Sequence, residues 1–142
     1  MSVPGRVSLV TLGVGDLARS IAFYDALGWD RVVDGNDGVA FYRMAGALLA
    51  LYPLSALAAD AHVPADRSGF SGITLAVNLA SPAEVDADID HAASVGATIL
   101  KPPEAVFWGG YSGYFADPDG YAWEVAHNPH WPLDERGLPQ LA

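Results

Sequence analysis

The spacing of apolar positions changes several times along the chain, and each change marks a predicted element. Residues 7–14 form a run of β-branched and leucine residues that stops at Gly15-Asp16, which reads as a strand followed by a helix start. Asp16 suits an N-cap because its carboxylate can accept from the orphan amides of a first helical turn, and Leu17, Ile21 and Tyr24 then recur at helical spacing. Gly28 closes this helix in the left-handed conformation that glycine tolerates. Short β-type runs follow at 31–33, 39–44 and 48–52, separated by the hairpin signals Asp34-Gly35-Asn36-Asp37-Gly38 and Ala45-Gly46. Between Pro53 and Gly69 the chain is alanine-rich without strand alternation, and it reads as a linker with about one helical turn.

The order then repeats. Ile73-Thr74-Leu75-Ala76-Val77 echoes Val10-Thr11-Leu12-Gly13-Val14, and Gly96 ends a second helix as Gly28 ends the first, the signature of an internal duplication. Ser81, Pro82 and Glu84 form a capping box for that second helix, whose apolar stripe is Val85, Ile89 and Ala92 or Ala93, with Asp86, Asp88 and Asp90 facing outward. A short strand at 98–100 precedes a Pro102-Pro103 turn, and the last two strands, about 111–116 and 121–127, are joined by the hairpin signal Asp117-Pro118-Asp119-Gly120. The expected fold is α+β: one domain over residues 1–142, made of two β-α-β-β-β modules at about 5–53 and 69–128.

Strand parity sorts the faces. Val10, Leu12 and Val14 share one face of the first strand, and Leu9, Thr11 and Gly13 the other; Ile73, Leu75 and Val77 likewise oppose Gly72, Thr74 and Ala76. The bulky faces are expected to pack on the helices, leaving the small-residue faces to line a roomy cup. On the last strand Glu124 shares parity with Ala122 and Ala126, while Trp123 and Val125 take the helix side.

Composition removes several classes of function. The 142 residues contain no cysteine, which excludes disulfides and thiolate chemistry. Seventeen acidic residues against seven basic ones, a formal net charge of −10, leave phosphate backbones nothing to bind and repel anionic membranes, so neither nucleic acid nor membrane is an expected partner. No apolar run is long enough to span a bilayer, and the first residues lack a signal-peptide core, which makes the cytoplasm the expected location.

Three pieces of the sequence carry a resemblance. Val14-Gly15-Asp16-Leu17 leads to Phe23-Tyr24 and Leu27-Gly28-Trp29; the halves are paired; and Phe115-Ala116-Asp117-Pro118-Asp119-Gly120-Tyr121 leads to Trp123-Glu124-Val125. In this order, over roughly residues 5–129, the chain resembles the glyoxalase/bleomycin resistance/extradiol dioxygenase group, the vicinal oxygen chelate superfamily. The resemblance implies two curled sheets with helices outside, enclosing a ligand, and in the family's enzymes a divalent metal held from four strand positions. Here those positions fall on Leu9, Ala50, Gly72 and Glu124, of which only Glu124 can bind a metal. The expected cofactor is therefore none, and a divalent metal is unsupported by these positions. His62, His91, His127 and His130 read as surface or structural residues.

The residues expected to meet a small-molecule ligand are Leu9, Thr11, Ala50, Tyr52, Gly72, Thr74, Trp108, Tyr111 and Glu124. One reading is a metal-free binding protein, similar to the family's drug-sequestering members. A second is an enzyme of lyase, isomerase or dioxygenase type, similar to lactoylglutathione lyase, with Glu124 as acid/base or metal ligand. A third is a dimer module whose hollow is filled. Against a functional Glu124 stands pairing with an arginine such as Arg43. The resemblance also implies a homodimer, and the tail from Asn128 onward packs either across that interface or over the mouth of the cup.

Overall fold

The computed structural model describes residues 2–34 and 36–141; Gly35, part of the first turn signal, lies outside them with Met1 and Ala142. The chain divides between Asp66 and Arg67 into two compact units. The N-terminal unit contains β1 (Leu9–Val14), α1 (Leu17–Ala26), β2 (Asp30–Arg31), β3 (Ala40–Arg43), β4 (Leu48–Pro53) and α2 (Leu54–Ala61). The C-terminal unit contains β5 (Thr74–Asn78), α3 (Pro82–Ser94), β6 (Thr98–Ala105), β7 (Tyr111–Ala116) and β8 (Ala122–His127). Their sheets run β1-β4-β3-β2 and β5-β8-β7-β6, each with one parallel pair at one edge and antiparallel pairs elsewhere. The β-α-β-β-β connectivity thus occurs twice, and the fold is α+β with two open four-stranded sheets. Among the described residues no helix is long and apolar enough to cross a membrane.

In the N-terminal unit the parity of β1 sets the layers. Leu12 and Val14 are buried with Leu49, Leu51 and Tyr42, while Thr11 pairs with Ala50 on the other face. Asp16 caps α1 by accepting from the Arg19 amide at 3.1 Å. The residues α1 buries are Ser20, Phe23 and Tyr24, a stripe rotated from the expected Leu17-Ile21-Tyr24. Aromatic packing decides this rotation: Tyr24 stacks on Trp29 at 5.3 Å and meets Phe23 edge-on at 5.1 Å.

The 53–69 stretch departs from its reading as a linker, because residues 54–61 form the full helix α2. Alanine needs no strand alternation to favour a helix, and Gly13 leaves the space into which this one packs. A Cβ at Gly13 would lie 2.7 Å from Leu54 Cδ1 and 3.3 Å from Leu57 Cδ2. The small-residue face of β1 is therefore covered by α2 at its Gly13 end.

Two strand boundaries in the C-terminal unit also move. β5 starts at Thr74, leaving Ile73 exposed and Gly72 in the left-handed region at φ +82°. β6 continues through Pro102 and Pro103 to Ala105 instead of turning there. It is an edge strand with register shifts around Lys101, the setting in which proline's missing amide is tolerated. Gly113 permits this approach, since a Cβ there would sit 2.9 Å from the Lys101 carbonyl and 3.0 Å from Pro103 N.

The capping box of α3 is present in altered form: Ser81 Oγ accepts from the Glu84 amide at 3.3 Å and donates to Glu84 Oε2 at 3.1 Å. Replacing Ser81 with alanine is expected to cost about 1 kcal/mol, seen as a lower urea midpoint at unchanged m-value. Val85, Ile89 and Ala92 are the buried face of α3, as the sequence stripe predicts.

Candidate functional site

The C-terminal sheet presents two unlike faces. On one, the Tyr111 hydroxyl donates to Asp86 of α3 at 2.7 Å, which marks that face as the one the helix covers. Phe115 and Trp123 lie opposite each other on the same side, their rings stacked at 6.4 Å. Residues one step along each strand point the other way, so Ala76, Glu124 and Tyr114 lie side by side across β5, β8 and β7.

This second face floors an open cleft of about 540 Å³. Ala76, Asn78, Glu124 and Ala126 come from β5 and β8, Trp108 from the loop before β7, and Asn128, His130 and Trp131 from the segment after β8. The post-strand segment is held by its own turns: the Trp131 amide donates to the Asn128 carbonyl at 3.2 Å and the His130 amide to Asn128 Oδ1 at 2.9 Å. The tail thus supplies a wall of the cleft. His127 is turned away, with Nδ1 3.0 Å from the Leu79 carbonyl.

Glu124 is half-buried, and Tyr114 lies directly opposite it in the β7–β8 register. Arg43, the arginine named as an example partner for Glu124, pairs with Asp30 at 3.4 Å. Burial, and then the neighbouring Glu124 charge, push the Tyr114 phenol above the ordinary tyrosine value. A phenol raised in the folded state contributes stability that is fully present below the unfolded value of about 10 and lost as pH climbs through the folded value. An absorbance titration is expected to show Tyr114 ionising late, and Tyr114→Phe to remove a phenol from the alkaline end of the curve.

The sequence-predicted residues separate into groups. Trp108 and Glu124 meet in this cleft. Leu9, Thr11, Ala50 and Tyr52 meet in a smaller hollow of about 280 Å³ in the N-terminal unit, with Leu57 and Asp60 of α2 on its margin. Gly72 precedes β5, Thr74 is exposed at its start, and Tyr111 faces α3; none of the three lines either hollow. Tyr114, Asn78 and His130 were not expected to meet a ligand, whereas Asn128 and Trp131 belong to the tail for which a place over the mouth of the cup was one of two expectations. Of these Tyr114 left a signal, because a turn closed by Asp117 and Tyr121 fixes a register that sets residue 114 opposite 124.

Residues 6–125 match the family model of the Glyoxalase/Bleomycin resistance protein/Dioxygenase superfamily. The chain belongs to this superfamily. Among solved structures, a glyoxalase-related enzyme from Fulvimarina pelagi shares 36% identity over 98% of this chain and 99% of that one, with a TM-score of 0.88. A glyoxalase/bleomycin resistance protein/dioxygenase from Nocardioides is 28% identical over 100% and 93% of the two chains, at a TM-score of 0.74. A lactoylglutathione lyase from Agrobacterium tumefaciens is 25% identical over 93% and 100%, at 0.68. No curated protein matches the chain significantly.

For this glyoxalase/bleomycin resistance superfamily member, the donor set does not fit the divalent ion expected of the family's enzymes. Glu124 has Ala76, Ala122, Ala126 and Tyr114 as its neighbours on this face, and a catalytic zinc takes about three protein ligands. Among the described residues no group of three or more His, Cys, Asp or Glu side chains is placed to hold a metal ion.

Proposed function

We propose that the protein binds a small organic molecule in the C-terminal cleft, with Glu124 as its polar anchor and without a metal. The observation that carries this reading is the setting of one carboxylate among Ala76, Asn78 and Ala126 between walls that include Trp108 and Trp131. Small side chains leave room, indoles offer flat apolar surface, and a lone carboxylate fixes orientation, the usual division of labour in a small-molecule site. The volume lies within the range of such sites, roughly 300 to 1,000 Å³. A thermal-shift screen of small organic molecules tests it: ligands are expected to raise the melting temperature of the wild type and to lose that effect in Trp131→Ala. A screen without hits, or hits indifferent to Trp131, contradicts the proposal.

A second reading is favoured by the Tyr114–Glu124 contact. A carboxylate and a phenol side by side place a base and an acid on one sheet face, and one structural relative is named a lactoylglutathione lyase. Turnover of lactoylglutathione, assayed in both directions, that disappears in Glu124→Gln supports catalysis by this pair, and no turnover contradicts lyase activity of that kind.

A further inference from the structure

We propose that the C-terminal cleft selects an organic cation, a quaternary or protonated amine on a small apolar frame. This rests on the small-molecule reading and adds the sign of the ligand's charge. Trp108 and Trp131 remain 37% and 42% exposed where they line the cleft, so their rings are open to a ligand. An indole face carries negative quadrupole charge and attracts cations more strongly than phenylalanine or tyrosine does.

The floor decides between ligand classes. Glu124 lies beside Tyr114, and among the described residues no lysine or arginine lines the cleft. Lys101, the basic residue nearest Tyr114 in sheet register, places its ammonium 3.6 Å from Glu104 and 6.0 Å from the Tyr114 ring centroid. An anionic ligand would be repelled by Glu124. A neutral one would strip water from the carboxylate without replacing its charge. A cation stacks on the indoles and compensates the carboxylate in the same pose. Residues 67–142 carry three basic and ten acidic side chains, so the surrounding field draws in the same class.

Trp108 reaches the cleft because residue 110 is glycine. The loop is closed by bonds of 3.0 Å from the Gly109 amide to the Val106 carbonyl and from the Val106 amide to the Gly110 carbonyl. The indole folds back over Gly110, where a Cβ would overlap its ring. Gly110 is therefore a positioning residue for the aromatic wall.

Titration calorimetry with two probes of the same shape tests the inference: 3-hydroxyphenyltrimethylammonium and its neutral counterpart 3-tert-butylphenol. The cation is expected to bind the wild type at least about tenfold more tightly, a preference that one desolvated cation–indole contact with a carboxylate beneath it supports. Glu124→Gln should erase most of that preference. Gly110→Ala, which leaves every cleft side chain chemically intact, should weaken the cation severalfold by displacing Trp108, with a melt confirming that the variant is folded. Equal binding of the two probes, or a preference unchanged in Glu124→Gln, overturns the charge assignment while capture of small molecules stands. If neither probe binds and the thermal-shift screen is also empty, the small-molecule reading fails with it.

Discussion

Replacing Trp123 with alanine is expected to lower the unfolding free energy by about 3 to 5 kcal/mol, the range for removing a large aromatic from a packed core. Trp123 is 4% exposed, stacks on Phe115, and pairs across β5 with Leu75, on the face that α3 covers with Val85, Ile89 and Ala92. Neighbours fixed on sheet and helix cannot collapse fully into the space, so a cavity term adds to the lost burial. Trp123→Phe should recover much of the loss by keeping a ring against Phe115. Urea denaturation with circular dichroism reads both variants, and a loss below about 1 kcal/mol for alanine would show that this face is not the core of the unit.

The functional counterpart lies one residue along the same strand. Glu124→Gln is expected to leave stability within about 0.5 kcal/mol of wild type, as for substitutions outside packed cores. Cation binding should fall by about tenfold, because the substitution removes the charge on which the wild type's preference for the cation rests. Tyr114→Phe should lose less, since the carboxylate keeps its charge and exchanges the phenol for water. The ranking, Trp123 for stability and Glu124 for binding, follows from the alternation that sends neighbouring side chains to opposite faces of β8. Titration calorimetry alongside thermal melts separates the two effects.

That alternation was legible in the sequence, as were the duplicated module, the Asp16 and Ser81 caps and the Asp117–Gly120 hairpin. In the hairpin Asp117 Oδ1 accepts from the Asp119 and Tyr121 amides at 2.9 and 2.8 Å, which is local chemistry that a dipeptide pattern encodes. Other features depend on partners distant in sequence. The alanines of residues 54–61 announce about one helical turn, and the full helix finds its packing site where Gly13 leaves room for Leu54 and Leu57. Pro102 and Pro103 read as a turn because proline breaks central strands, yet β6 is an edge strand, where the break is harmless. Trp108 was an expected wall of the cleft, but the choice between the tail's two expected positions was not legible, because Trp131 and Asn128 join Ala76 and Trp108 only after β8 has brought the tail back. Register arithmetic from the hairpin would have placed Tyr114 on Glu124, and a glycine in a strand, Gly113, already signals close approach of another backbone.

The four tryptophans provide the most direct test of where a ligand sits. A two-dimensional proton–nitrogen NMR spectrum resolves their indole groups, and titrating the ammonium probe should move the Trp108 and Trp131 signals together. Trp29, stacked on Tyr24, and Trp123, buried against Phe115, should stay in place. If the probe leaves Trp108 and Trp131 unmoved and instead shifts the backbone amides of Thr11 and Ala50, the ligand occupies the N-terminal hollow and Glu124 is not its anchor.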